Sequence, residues 1–509
     1  MTQSEYQNPI LCADYSDPDI VRVGDDFFMV SSSFNHMPAL PILHSTDLIN
    51  WQIINHVFEA LPLPGYDEYQ PGKGVWAPSI RWHDNKLWVF FSTPDEGIFM
   101  CQTDDPWGQW SAPHCVQPAR GWIDPCPFWD DNGDAWLVHA FAHSRSGIKH
   151  KLQLFAMSPD GTSLLGEGRI IYDGSCDQPT LEGPKVYKRG GWYYIFAPAG
   201  SVETGWETVL RASSMTGPWE ARNVLFQGDT PVNGPHQGGW VELDDGECWF
   251  VHFQDAHLYG RIVHLQPMRW EQDGWPRIGE PMGDEGEGQP VMRWTRPASL
   301  PPSQRCLPQT DDSFTHGVPG LQWQWQANPH AEWLLPGNDR LNLRCCPLPQ
   351  GADKGNFYWL PNLLLQKFPA WQFTARTSLT LKAAENGDAG GLIIYGERYA
   401  ALLLEKRDGQ HQLLWVTGWM SDAGIVRESR QVIAPLSAGR CELKVSVTRG
   451  GICRFAWREP EGNWQSVTPP FAAGKGKWVG AKVGLVALTL EAAASQGVCG
   501  FDYFATEIT

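Results

Sequence analysis

DPDIVRVGDDFFMVSSS, residues 17–33, is one of five variants of a single pattern. The others are APSIRWHDNKLWVFFST (77–93), DPCPFWDDNGDAWLVHA (124–140), EGPKVYKRGGWYYIFAP (182–198) and HQGGWVELDDGECWFVH (236–252). Each begins as a short strand, breaks at a polar turn and continues as a second, aromatic-rich strand. The openers Asp17, Ala77, Asp124, Glu182 and His236 lie 47 to 60 residues apart and read as equivalent places in a repeated unit.

A third strand and a turn ending in Trp complete most units: PILHSTDLINWQ at Trp51, MCQTDDPWGQWS at Trp110, LRASSMTGPWE at Trp219 and LQPMRWEQDGWP at Trp275. In unit three LFAMSPDGTSL takes that place without the Trp. Units of about 50 residues with three or four short strands are propeller blades. One such sheet cannot bury both faces alone, but a ring of sheets can. The expectation is an all-β chain. A five-bladed β-propeller occupies residues 1–295, with its blades from roughly residue 8. A Pro-rich linker, RPASLPPSQRCLP, spans 296–308. A β-sandwich of concanavalin-like type spans 309–509, where alternating runs such as FTARTSLTLK and CELKVSVTRG read as half-buried strands. The inner strand of each blade lines the channel, so the five openers become neighbours at its mouth.

The bulk composition narrows the partners. Among 509 residues the net charge is −18 and no Lys/Arg-rich run stands out, which argues against nucleic acid. Twenty-seven Trp suit both an aromatic β core and stacking on sugar rings. The 12 Cys show no paired CxxC spacing, so a zinc site is not expected. No apolar run approaches membrane-spanning length and the N-terminal stretch does not read as a secretory signal. With free thiols, this points to a cytoplasmic protein without membrane partners.

Three carboxylates, Asp17, Asp124 and Glu182, then converge on one pocket. Glycoside hydrolysis needs such a set: one carboxyl protonates the leaving oxygen, and another, ionised, activates water or attacks the anomeric carbon. A third charge nearby raises the acid's pKa. Singly, each Asp-Pro is ordinary turn chemistry and Glu182 an ordinary strand end. It is their shared slot that argues for function. Asp130, Asn132 and Asp134 imitate the start of a calcium loop, but the twelfth position is Phe141 rather than Glu, and an Asn132-Gly133 hairpin turn explains them better.

At these residues the chain resembles family-43 glycoside hydrolases. The motifs are NPIL…DYSDPDIVRVGDDFFMVSSS, GVWAPSIRW, WIDPCPFWDDNGDAWLVHA, LEGPKVYK, GPHQGGWVE and YGRIVHLQP, and the likeness continues into the sandwich. The resemblance implies an inverting exo-glycosidase with Asp17 as general base, Glu182 as general acid and Asp124 as pKa modulator. It would release xylose from the non-reducing ends of β-1,4-xylo-oligosaccharides, an activity of xylan degradation. An α-L-arabinofuranosidase, or a bifunctional enzyme, is the alternative, because the two sugars present similar hydroxyl positions. A non-catalytic sugar-binding propeller is the reading from another class, and the presence of all three carboxylates speaks against it. Arg261 is expected to contact the bound sugar, Trp76 to form pocket wall, Phe34 to cap the pocket and Trp206 to shape its entrance. No cofactor is required by the resemblance. Some members hold calcium in the channel through a histidine, which makes His236 either a metal ligand or a structural residue. Sandwich-bearing members often form homo-oligomers, although no sequence feature shows this here.

Overall fold

A computed structural model of the chain describes residues 5–283 and 286–509. Five four-stranded antiparallel arrays follow one another, each built from strands consecutive in sequence. Blade one comprises Asp19–Val23, Asp26–Val30, Ala39–Ser45 and Gln52–Phe58. Blade three comprises Trp122–Trp129, Ala135–Phe141, Lys151–Met157 and Leu164–Asp173. Blades two, four and five begin at Trp76, Lys185 and His236. Blade four also takes up two short later strands, Glu280–Pro281 and Gly288–Gln289.

The alternation of side chains along a strand explains why the second strand of each blade carries apolar side chains on both faces. Phe27 and Met29 face blade five, packing with Trp249, Val251 and Val263. Phe28 and Val30 face blade two, packing with Ile80, Val89 and Phe91. Trp88 and Phe90 meet Leu137 of blade three, Val138 and Ala140 meet Ile195 of blade four, and Phe196 meets Phe250 of blade five. Each gap between neighbouring blades therefore holds its own core.

The ring closes between blades five and one. Gly239 lies against the start of blade one, where a Cβ would stand 2.6 Å from Asp19 Oδ1. The N-terminal segment seals the seam: Asn8 Nδ2 donates to Leu265 O and Val291 O, and Asn8 Oδ1 accepts from Leu265 N. The calcium-loop imitation is a turn, closed by Gly133 N donating to Asp130 O at 3.0 Å, with Asp130 taken up by Lys188 and Tyr193.

The C-terminal region is a sandwich of two large sheets. Leu379, Leu443, Phe455 and Phe501 of one sheet meet Leu392, Leu402, Leu413 and Leu485 of the other. The connection before it is pinned to blade one, since Asp47 Oδ2 accepts from Arg296 and from Ser303 Oγ. Met37 and Trp325 exchange backbone hydrogen bonds at 3.0 and 2.5 Å, and Asn328 brackets both backbone groups of Leu61. No described helix is long and apolar enough to cross a membrane.

Candidate active site

The repeat slots are not quite as the sequence pattern suggested. Left-handed φ occurs at Asp17 (53°), Ala77 (24°), Asp124 (57°), Gly183 (58°) and Gln237 (37°). The pairing with the second strand slips beside Ala77, Asp124 and Gln237, marking a bulge in the inner strand. The true equivalents are thus Asp17, Ala77, Asp124, Gly183 and Gln237. Glu182 and His236 stand one residue earlier, in the slot of Ser16, Trp76 and Ile123. The signal was readable: Gly183-Pro184 repeats the Asp-Pro, Ala-Pro, Asp-Pro series. The channel mouth is furnished from two adjacent slots, with the bulge re-aiming one of them.

Asp17 is buried and held at both oxygens. Oδ1 accepts from Arg261 Nη1 at 2.8 Å, and Oδ2 accepts from Ser32 Oγ at 2.6 Å. Ser32 Oγ in turn accepts from Ala77 N at 2.7 Å, tying blade one to blade two. Asp124 Oδ2 accepts from Gly183 N at 2.8 Å. Glu182 Oε1 meets His236 Nε2 at 3.1 Å. The Glu182 side chain is 25% exposed against 7% for Asp17, so it is the more accessible of the two.

The charges interact strongly. Burial, then the negative charges of Glu182 and Asp17, push Asp124 up to about 8. Burial and neighbouring charge thus favour the protonated form of Asp124. Burial would lower Arg261, but Asp17, Asp255, Asp14 and Glu182 outweigh it and keep the guanidinium charged. Its planar head also lies over the Phe253 ring, 4.9 Å from the centroid.

The aromatic residues sort differently. Phe34 and Trp76 meet edge to face, with centroids 6.1 Å apart, and Phe34 exchanges backbone hydrogen bonds with Val75. Gly74 permits this approach, since a Cβ there would stand 2.1 Å from Phe34 O. Trp206 is tied into blade four, where Nε1 donates to Gln178 Oε1 at 2.9 Å, and it packs against Phe226. It braces the segment leading into Glu182.

Sequence reading missed three contributors. Ser32 is one, although its SSS run ends the strand beside the first opener. Trp478, 44% exposed, comes from the sandwich and meets Trp76 edge to face at 6.3 Å. Asp14, three residues before Asp17, accepts from Arg261 N at 2.9 Å and from Gly480 N at 2.8 Å. No local pattern marks the last two, because their partners are hundreds of residues away.

His236 is the residue through which the resemblance would place a channel ion. His236 Nε2 is engaged by Glu182 and Nδ1 is buried without a partner. Among the described residues, no group of three His, Cys, Asp or Glu side chains is placed to hold a metal. Calcium takes six to eight oxygen ligands as a rule. In a coordination shell made mostly of water, the unpartnered His236 Nδ1 is the protein atom that would face the ion.

Residues 6–276 match the model of glycosyl hydrolases family 43, and residues 311–507 match the β-xylosidase C-terminal concanavalin A-like domain. The chain belongs to glycoside hydrolase family 43. It is 41% identical over 410 residues to a putative β-xylosidase from Xylanibacter ruminicola, covering 79% of this chain and 73% of that one. A non-reducing end α-L-arabinofuranosidase from Bacteroides ovatus is 27% identical over 438 residues, covering 81% and 78%. Xylan β-1,4-xylosidase from Bacillus halodurans superposes with a TM-score of 0.85 at 23% identity, over 99% of this chain and all of that one, which speaks for the fold. This family-43 chain is a glycoside hydrolase, and its substrate is an oligosaccharide.

Proposed function

We propose that this hydrolase removes single xylose units from the non-reducing ends of β-1,4-xylo-oligosaccharides, with inversion. The observation that carries the reading is the convergence of Asp17, Asp124, Glu182 and Arg261 at one channel mouth, beside the aromatic wall of Trp76 and Trp478. A sandwich turn against that mouth favours a closed-ended pocket for a chain terminus over a groove for a chain interior.

In this reading Asp17 is the general base. Each of its oxygens accepts one hydrogen bond and keeps a lone pair, so a water can be held and deprotonated there. That water attacks the anomeric carbon as the glycosidic C–O bond breaks. Glu182, the more accessible carboxyl, delivers a proton to the departing oxygen. Asp124 fixes the backbone beside Glu182, and its own carboxyl is raised by burial and by its two acidic neighbours. Arg261 holds Asp17 and offers donors to sugar hydroxyls. No step runs through a metal.

The second reading is α-L-arabinofuranosidase activity in the same pocket, supported by the name of the Bacteroides ovatus relative. All twelve cysteines are free thiols, which supports a reducing compartment and imported oligosaccharides as substrate. Purified protein assayed on aryl β-D-xyloside and aryl α-L-arabinofuranoside, with the first anomer followed by NMR, tests all of this. Turnover of the xyloside with α-xylose appearing first is expected. Turnover of neither substrate sinks both readings, and β-xylose appearing first refutes inversion.

A further inference from the structure

Arg261 does not stand on the propeller alone. It leaves a turn, Asp255 to Arg261, that is clamped to the sandwich. Tyr259 Oη donates to Trp371 O at 3.0 Å and accepts from Gly450 N at 2.9 Å. Leu258 O accepts from Ala481 N at 2.7 Å. Gly260 and Gly480 pass so closely that a Cβ on Gly480 would stand 2.6 Å from Gly260 N.

Asp14 fills the centre of this junction. It is buried, and its two oxygens are divided between the domains. Oδ1 takes Arg261 N at 2.9 Å and Ser16 Oγ at 3.2 Å, while Oδ2 takes Gly480 N at 2.8 Å and lies 4.0 Å from Lys482 Nζ. Gly260 is obligatory here, since a Cβ would fall 2.3 Å from Asp14 Cγ. The same Gly480 ends the turn that carries Trp478, closed by Gly476 N donating to Val479 O at 2.9 Å.

We propose that Asp14 is a positioning residue through which the sandwich turn 476–481 sets the place of Arg261, and so of its hydrogen bond to Asp17. This rests on the site reading given above, in which Arg261 and Asp17 take part in hydrolysis. A carboxylate suits the task because each oxygen serves one domain. An amide has a single acceptor oxygen, so Asp14→Asn leaves either Arg261 N or Gly480 N unpaired. The sandwich is then part of the catalytic apparatus without supplying a catalytic group.

The test is a double-mutant cycle on aryl β-D-xyloside with wild type, Asp14→Asn, Arg261→Lys and the double variant. Asp14→Asn is expected to lower kcat/KM tenfold or more, mostly through kcat, and to cost less than twofold once Arg261 is already Lys. A merely structural Asp14 would cost the same factor in both backgrounds, and that result overturns the proposal. So does an Asp14→Asn variant within twofold of wild type. Gly480→Ala pushes the turn away from the sandwich side and is read by the same criteria should Asp14→Asn fail to fold. If Arg261→Lys itself costs nothing, the site reading fails; if it costs activity and Asp14→Asn does not, only the coupling fails.

Discussion

Asp124 Oδ2 accepts the Gly183 N–H at 2.8 Å, so a buried carboxyl of blade three holds the backbone beside Glu182 of blade four. The same Asp124 is pushed up to about 8 by burial and by its two acidic neighbours. A group whose folded pKa exceeds its unfolded value stabilises the fold most below the unfolded value. That advantage is lost as pH rises through the folded value. For Asp124 the window runs from about pH 4 to about pH 8. Asp124→Asn keeps an oxygen for Gly183 and removes the charge. Its melting temperature should match wild type near pH 4 and exceed it by roughly 1–5 °C at pH 8, while activity falls at least a hundredfold. Thermal scans across this range check it; a variant less stable than wild type at pH 8 contradicts the electrostatic account.

The propeller was legible because its signal is local and repeated. The turn at Gly24, the double-faced apolar second strands and the Trp-ended third turns each recur at blade spacing, and each has a packing reason visible within one blade. The convergence of the three carboxyls was legible for the same reason. What misled was register: a bulge adds one residue, so the eye aligns Glu182 with Asp124 when Gly183 is the true equivalent. What stayed hidden was long-range. Asp14 meets Gly480, and Trp76 meets Trp478, across most of the chain, and neither turn residues nor periodicity encode such meetings.

Glu182→Gln separates acid chemistry from binding. If Glu182 protonates the departing oxygen, the loss depends on how much help that oxygen needs. On xylobiose, kcat should fall at least a thousandfold. On an aryl xyloside with a nitrophenolate-type leaving group the loss should be at least tenfold smaller, with the melting temperature little changed. Equal losses on both substrates would remove Glu182 from the acid role. Its solvent-reachable side chain makes large misfolding effects unexpected.

Trp478 probes the sandwich's share of the pocket. Its ring is partly exposed and meets Trp76, Gly72 and the Lys477 ammonium at the surface, so truncation costs the fold little. If lost stacking on a sugar is worth as much as an aromatic pair, about 0.5–1.5 kcal/mol, the change is roughly twofold to twelvefold. Trp478→Ala should raise KM for xylotriose by that factor, with kcat and melting temperature close to wild type. Unchanged KM across xylobiose, xylotriose and aryl xyloside would take Trp478 out of substrate contact.

Five buried histidines set the acid limit of the fold. Burial pushes His56 down to about 3 and His139 and His252 down to about 4, and lowers His36 and His264 well below the ordinary value. In the unfolded chain each takes a proton near pH 6.5. Between about pH 6.5 and 4 the unfolded state therefore binds protons that the folded state refuses, and stability falls as pH falls. Each histidine contributes a slope of up to about 1.4 kcal/mol per pH unit. The raised carboxyls of Asp124, Glu207 and Glu96 run the other way across part of that range, but the five histidines outnumber them. The melting temperature should accordingly drop steeply from pH 6.5 to pH 4.5, and His139→Gln, which keeps a partner for Gln153 without a titrating ring, should flatten the drop. A melting temperature level across that interval would mean that these rings accept protons in place.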